Sequence, residues 1–269
     1  MCQIAVWAKI GFISIALFFQ FTCGALAYER IISLSPVVSE WTSEILGKVQ
    51  TQKSLVGVSE YSIYPKWLDS TVTVGPYFKL NVEKIAGLKP DLVLGSLEYN
   101  SFTQIEQLKR LGIVVMMLPK EKFPEMPNWI RGLSHILHKE SAGEELAKRW
   151  TSEVKDLASK KTKIKSLFLE LDHQPLITVG GESFLNEAFS IIGYENIFKN
   201  LGQGYPKVSK EQVLKLNPAA LFILDHSGNK KDLEDSVQDW KKFGKTAVII
   251  SGDQFARCSF LLLKGLREL

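Results

Sequence analysis

The chain has 269 residues, of which 45% are hydrophobic, and a formal net charge of +4. This length suits one large domain or two medium ones, and the apolar content is sufficient for a folded core. Charges of both signs are interleaved along the chain, which argues against a surface that binds nucleic acid.

The first residues of the chain have the pattern of a secretory signal peptide. Lys9 is followed by an apolar run from Ile10 to Phe19, and small residues come at Ala25 and Ala27. The run is shorter than the about 20 apolar residues that a membrane-spanning helix requires. We therefore expect residues 1–27 to be cleaved and the rest of the chain to be exported to the periplasm. Separately, we expect the exported chain to be a monomer.

Cys23 offers an alternative, because a lipidated cysteine can anchor an exported protein to a membrane. Thr22 and Phe21 stand before it, where lipoprotein processing requires small residues, so simple cleavage is the expected outcome. Removal of residues 1–27 leaves Cys258 as the last thiol. A lone cysteine of this kind is expected to be a small packed residue.

After the signal peptide, short β-type runs alternate with helical periodicity, which is typical of βαβ units on a mainly parallel sheet. The candidate strands are residues 31–34, 55–58, 92–94, 114–118, 166–169, 221–224 and 247–250. Helices are predicted in most of the intervening segments. The sequence therefore predicts the α/β class.

One pattern occurs twice, at residues 83–94 and 211–222. In both copies a glutamate opens a short amphipathic helix, a Leu-x-Pro sequence ends it, and a buried strand follows. An internal repeat of this kind indicates two similar lobes.

A single helix is predicted to connect the lobes. Residues 139–165 are rich in Glu, Lys and Ala, with apolar residues at helical spacing around Trp150 and no Gly or Pro after Gly143. We place the lobes on either side of this helix, at residues 28–138 and 166–269. A helix resists bending, so the lobes should hinge only modestly.

Catalytic and metal-binding motifs are not found. The four histidines, His135, His138, His173 and His226, form no His-Glu-x-x-His arrangement, and the first two are interpreted as residues of a solvated helix face. Asp172 beside His173 leaves a secreted hydrolase as a remote alternative, although no nucleophile motif accompanies this dyad.

Aromatic residues next to proline or glycine follow several predicted strands. In open α/β sheets, ligands bind beyond the carboxyl ends of the strands, so aromatic residues there could line a cleft between the lobes. Each of them could equally be a core residue. They are Tyr61, Tyr64, Tyr77, Phe78, Phe184, Tyr205 and Phe255.

Several strings stand in order along the chain: RIISLSP at 30–36, VGVSEYSIYP at 56–65, VGPY at 74–77, NVEKI at 81–85, LKPDLV at 88–93, ENIF at 195–198, YPKVSKEQV at 205–213 and DQFAR at 253–257. Together they resemble the class III periplasmic binding proteins, which carry cobalamin, haem and ferric siderophores to ABC importers. Within this class the resemblance is closest to the cobalamin-binding members.

The resemblance implies two Rossmann-like lobes joined by a single long helix, with a ligand held in the cleft and neither catalysis nor a cofactor. The expected ligand is cobalamin or a related corrinoid. The alternatives are haem, with a tyrosine or histidine as axial ligand, and a ferric siderophore held by Arg257. By position, the implied ligand contacts are the strand-end loop Pro36, Val37 and Val38, together with Tyr61, Tyr77, Phe184, Tyr205, Asp253, Gln254, Phe255 and Arg257.

Three positions depart from the pattern of the family. Tyr205 and Gln254 stand where the cobalamin-binding members have tryptophan, and Ala256 stands where they have glutamate. The disulfide of their second lobe cannot form here. Loss of a large aromatic ring removes stacking area for a corrin ring, so these departures bear on the identity of the ligand and not on the class.

The resemblance also implies a docking role for Glu83 and Glu211. The family places one acidic residue on each lobe to meet arginines on the two subunits of a permease dimer, and arginine pairs with carboxylates bidentately. The alternative is that both are ordinary first-turn acids, stabilised by the helix dipole by about 0.3–1 kcal/mol.

Overall fold

A computed structural model describes residues 28–160, 164–202, 204–225 and 230–269. The strands within them are β1 (Ile31–Ser33), β2 (Leu55–Val58), β3 (Leu92–Ser96), β4 (Val115–Leu118), β5 (Lys165–His173), β6 (Leu176–Thr178), β7 (Tyr194–Asn196), β8 (Ala220–Asp225) and β9 (Ala247–Ser251). The α-helices are α1 (Pro36–Ser54), α2 (Val82–Gly87), α3 (Phe102–Arg110), α4 (Met126–Ile136), α5 (Glu140–Ser159), α6 (Phe184–Ile191), α7 (Lys210–Leu216), α8 (Lys230–Lys242), α9 (Gly252–Phe255) and α10 (Phe260–Glu268).

The strands form two sheets, one in each half of the chain. The first is all parallel, in the order β2-β1-β3-β4. The second has the order β6-β5-β8-β9, with β7 beside β5, and only β6 is antiparallel. All seven predicted strands are present. The sequence analysis missed β6 and β7, two strands of three residues each.

Helix α5 occupies the segment between the two sheets. The predicted connecting helix, 139–165, was too long at its carboxyl end, because α5 ends at Ser159 and Lys165 already belongs to β5. Residues 161–163 lie outside the described residues. The helix packs against α1 and α4 of the first lobe and against α6 and α10 of the second.

One apolar core runs through both lobes and includes the buried face of α5. The ring of Trp150, in the middle of α5, lies 5.8 Å from Trp41 in α1, 5.3 Å from Phe123 and 5.8 Å from Phe260 in α10. Trp41 and Phe260 belong to different lobes. The connecting helix is therefore the centre of a shared interior and not a free spacer.

The internal repeat has the same local structure in both copies. Helices α2 and α7 are each followed by a residue with left-handed backbone, Lys89 and Asn217, both with φ of 47°. A proline follows in each copy, and then a central strand, β3 or β8. Because left-handed backbone is uncommon outside glycine, its recurrence at equivalent positions supports the interpretation of two related lobes.

The start of α7 offers a test of helix capping. The Ser209 side chain accepts from the backbone N–H of Gln212, and the Gln212 side chain accepts from the backbone N–H of Ser209, which is a capping box. We expect Ser209→Ala to lower the free energy of unfolding by about 1 kcal/mol in urea denaturation. Ser101, at the start of α3, makes no such side-chain bond. Ser101→Ala should therefore change stability by less than about 0.5 kcal/mol, and equal losses in both variants would contradict the capping role.

None of the helices in the described ranges is both long and apolar enough to cross a membrane. The predicted signal peptide, residues 1–27, lies outside those ranges.

Candidate functional site

The carboxyl ends of the first lobe's strands carry a cluster of tyrosines. Tyr61 follows β2, Tyr99 follows β3, and Tyr77 lies between them, with ring centroids 6.5 Å from Tyr61 and 5.7 Å from Tyr99. Phe78 extends this tyrosine cluster, 5.3 Å from Tyr77. The structure thus brings together the predicted contacts Tyr61 and Tyr77, and it adds Tyr99.

Tyr61 is held in a strained and exposed position. Its φ is 66°, in the left-handed region, and 61% of its surface is exposed. The neighbouring Ser62 hydroxyl is buried and hydrogen-bonds Ser39 at 3.0 Å and Ser59 at 3.2 Å. Strained backbone persists only where the surroundings fix it, and it clusters at functional sites. The serine network therefore presents the Tyr61 ring to the solvent at the edge of the sheet.

Tyr205 approaches the tyrosine cluster from the second lobe. Burial raises the pKa of the Tyr205 phenol, although a hydrogen bond with Ser183 opposes the rise, and part of its ring remains exposed. Burial also raises the pKa of Tyr99, with smaller contributions from Glu121 and Tyr205. The predicted contact Tyr205 therefore lies where the two lobes meet.

Charged groups stand beside these tyrosines at the end of β4. Lys120 forms an ion pair with Glu98 at 2.8 Å, and the charge of Glu182 in the second lobe also acts on Lys120. Glu121 is 2% exposed, and its Oε1 atom has no hydrogen-bonding partner among the described residues. Its burial raises its pKa to about 7.

Arg257, a predicted ligand contact, is buried and bonded within the protein. It is 8% exposed, and its Nε donates to Glu40 Oε2 at 2.9 Å, while Nη2 donates to the carbonyl of Asp253. Burial raises the pKa of Glu40, and the charge of Arg257 opposes the rise. The predicted contact is thus a buried ion pair between α1 and the second lobe.

Four further predicted contacts have side chains in the core. Phe255 is 1% exposed and stacks on Phe189 at 5.5 Å, and Phe184 is also buried. Val37 and Val38 are buried as well, in the first turn of α1 and not in a loop as predicted. These apolar side chains pack in the core, so none of them presents a surface to a ligand in this conformation.

The remaining predicted contacts lie at the surface or near it. Pro36 is half-buried as the first residue of α1, and Asp253 is exposed in the single turn of α9. Gln254 is half-buried, and its amide donates to Glu268 Oε2 at 2.9 Å. Arg257 bonds both the carbonyl of Asp253 and the carboxylate of Glu40, and so links α9 to α1.

Glu83 and Glu211 occupy equivalent places in the two lobes. Each is the second residue of its helix, α2 or α7, and each is exposed. A hydrogen bond with Ser209 lowers the pKa of Glu211. Both positions present a carboxylate to the solvent at a helix start.

The Asp172–His173 dyad lies at the end of β5, next to a cavity of about 480 Å³. His173 Nδ1 is 3.0 Å from Glu170 Oε1, and its Nε2 is 3.3 Å from Asp239 Oδ2. The nearby Ser236 hydroxyl donates to Glu170 and not to His173. No hydroxyl is therefore activated by this histidine among the described contacts, and no three His, Cys, Asp or Glu side chains gather to hold a metal in the described parts of the chain.

Tyr99, Lys120 and Glu121 were missed in the sequence analysis. All three come within a few residues of the carboxyl end of β3 or β4. The rule that ligands bind at this edge would have found them, had it been applied to polar residues and not only to aromatics next to proline or glycine.

Comparison with known proteins identifies close relatives. A family model described as periplasmic binding protein matches residues 31–250. The vitamin B12-binding protein of Vibrio parahaemolyticus is 32% identical over 201 residues, covering 74% of this chain and 72% of that protein. The vitamin B12-binding protein of Salmonella choleraesuis is 30% identical over 247 residues, covering 90% and 89%.

Solved structures agree in fold. The periplasmic vitamin B12 binding protein BtuF of Vibrio cholerae has a TM-score of 0.76 and 28% identity, covering 90% of this chain and 95% of that one. The periplasmic heme binding protein HutB of the same organism has a TM-score of 0.76 at 21% identity, covering 89% and 96%. These similarities confirm the predicted α/β fold class.

Proposed function

We propose, since the chain belongs to the periplasmic binding protein family, that it captures a corrinoid such as cobalamin between its lobes and delivers it to an ABC importer. The family binds substrates for transport. The choice of a corrinoid is supported by the relatives named vitamin B12-binding proteins, at about 30% identity over most of the chain.

The tyrosine cluster is the observation that carries this proposal. Tyr61, Tyr77 and Tyr99 present aromatic surface at the carboxyl edge of the first sheet, with Tyr205 opposite in the second lobe. Aromatic rings provide large contact areas with few rotatable bonds, which suits the capture of a bulky and rigid ligand.

We further infer that the protein is not an enzyme. His173 is held between Glu170 and Asp239, and the nearby serine is bonded elsewhere, so the dyad has no partner for a hydrolytic mechanism. The buried Cys258 is also unsuited to nucleophilic attack, because burial raises the pKa of its thiol.

Export and docking complete the proposal. Residues 1–27 act as a signal peptide that directs the chain to the periplasm, where it works as a monomer. Glu83 and Glu211 bind arginines on the two subunits of a permease dimer similar to that of a cobalamin importer. Their equivalent places in the repeat support this, because two matched carboxylates fix the orientation of docking.

Calorimetry with cyanocobalamin tests the ligand directly, using residues 28–269. We expect binding, and Tyr61→Ala should weaken it by about tenfold or more, since an aromatic side chain at the centre of a contact commonly contributes more than 1 kcal/mol. Phe243→Ala is the matched control. Phe243 is an exposed aromatic between α8 and β9, at the opposite edge of the second sheet, so its removal should leave the affinity unchanged.

Haem is the alternative ligand, and an absorption titration with haemin separates the two. Haem would be the ligand if the Soret band shifts with the wild type, if this shift is lost in Tyr61→Ala or Tyr77→Ala, and if cyanocobalamin does not bind.

A further inference from the structure

Glu121 is a buried carboxyl group whose position the fold alone does not explain. It follows β4 by three residues, at the edge where the tyrosine cluster lies, yet it is 2% exposed and its Oε1 has no hydrogen-bonding partner among the described residues. An unsatisfied buried polar atom costs stability, and its retention in a native protein calls for a functional explanation.

The surroundings of Glu121 place it between the lobes. Its charge acts on Tyr99 in the first lobe and on Tyr205 and Cys258 in the second. Two residues along the chain, the backbone N–H of Phe123 donates to Glu187 of the second lobe at 3.0 Å. Glu121 therefore lies near Tyr99 and Tyr205, at the carboxyl edge of the first sheet where the two lobes meet.

We propose that Glu121 is a polar anchor that hydrogen-bonds a neutral amide group of the bound ligand when Tyr99 and Tyr205 move apart to admit it. This inference rests on the proposed function and names the ligand chemistry at one point of the cleft. A corrinoid carries amide side chains around its ring, whereas haem carries carboxylates.

The chemistry of the carboxyl favours an amide over a carboxylate. Burial raises the pKa of Glu121 to about 7; the negative charge of Glu98 adds to the rise, while a bond from its own backbone N–H and the charge of Lys120 oppose it. In its neutral form the group both donates and accepts, so it can pair with both atoms of a primary amide. A ligand carboxylate at the same place would meet a buried acid with Glu98 beside it.

The pH dependence of binding follows from this pairing. The ionised form of Glu121 has no proton for the amide oxygen, so affinity should fall as the pH rises through about 7. Between pH 6 and pH 8 a group of this pKa passes from mostly protonated to mostly ionised. We expect the dissociation constant for cyanocobalamin to rise by about tenfold over that range.

Two variants separate an anchor from a structural residue. Glu121→Gln keeps a group that pairs with an amide, so it should bind cyanocobalamin within about threefold of the wild type at pH 6, with no change up to pH 8. Glu121→Leu removes the pairing and should bind about tenfold more weakly at pH 6. It should also melt about 2–4 °C higher, because an unsatisfied polar group has left the core.

The control variant is Glu125→Leu, four residues further along the same segment. Glu125 is exposed and pairs with Lys122 at 3.3 Å. Its removal should alter neither the affinity nor the pH profile. Cyanocobalamin derivatives with one amide hydrolysed to a carboxylate form a second test, since at least one of them should bind the wild type more weakly than the parent compound.

Two outcomes would overturn the inference and leave the proposed function intact. One is cyanocobalamin binding that is equal in the wild type and Glu121→Leu, as expected if only a buried water satisfies Oε1. The other is a pH dependence that persists in Glu121→Gln. Failure of the wild type to bind any corrinoid would instead overturn the proposed function, and the inference with it.

Discussion

Replacing Arg257 with alanine is expected to lower the free energy of unfolding by about 3–5 kcal/mol. The substitution leaves Glu40, which is 1% exposed, as a buried carboxylate without its cation. Loss of the cation raises the folded-state pKa of Glu40 further above the unfolded value, so the group protonates. The variant should consequently lose stability as the pH rises from about 5, and denaturation in guanidinium at pH 5 and pH 8 would measure this.

Arg267 provides the matched control for this prediction. It is also an arginine of the second lobe and pairs with Glu153 of α5 at 3.4 Å, but both partners are partly exposed. Arg267→Ala should cost less than about 1 kcal/mol. The double variant Arg257→Met with Glu40→Leu should recover most of the stability, because it removes both buried charges.

Unchanged stability together with weaker ligand binding would instead support Arg257 as a ligand contact. If Arg257→Ala unfolds like the wild type but binds cyanocobalamin at least about tenfold more weakly, the arginine leaves Glu40 to contact the ligand. The structure argues against this outcome, since the guanidinium is already bonded to Glu40 and to the carbonyl of Asp253.

Reversing both docking charges should have the largest effect on transport. In the double variant Glu83→Arg with Glu211→Arg, two arginines would face the arginines proposed on the permease. Like charges brought together at an interface cost several kcal/mol, so uptake of labelled cyanocobalamin by cells carrying the variant should fall by about 100-fold or more. Each single reversal should give a smaller loss.

The control pair keeps the same change in net charge. Glu145 in α5 and Glu234 in α8 are exposed acids away from the repeated helices. Cells carrying Glu145→Arg with Glu234→Arg should take up cyanocobalamin normally. Calorimetry should show that both double variants still bind the ligand, which assigns the loss to docking. Normal uptake with both docking charges reversed would leave Glu83 and Glu211 as ordinary first-turn acids.

The order of strands and helices could be predicted from sequence because it depends on local signals. These signals are hydrophobic periodicity, the positions of prolines and the pattern repeated at 83–94 and 211–222, and each is recognised within about a dozen residues. Together they located every strand longer than three residues. The end of α5 was misjudged because lysine-rich sequence continues past Ser159 without a glycine or proline.

The burial and contacts of individual side chains could not be predicted in the same way. Glu40 and Arg257 are 217 positions apart, so no local pattern announces their ion pair. At α9, Arg257 follows the helix and donates back to the carbonyl of Asp253, while Phe255 is buried in the core. Family position marked all three as ligand contacts, whereas packing of the second lobe decides which of them remains exposed.

The position of Trp150 has a consequence for how a ligand could be released. A large outward swing of either lobe would pull Trp41 or Phe260 from its ring and wet the interior of the molecule. Motion therefore requires the least free energy at the carboxyl edge of the sheets, where the tyrosine cluster lies. Binding of a ligand would then need little rearrangement of the lobes. Release would require the importer to act on the residues of the tyrosine cluster.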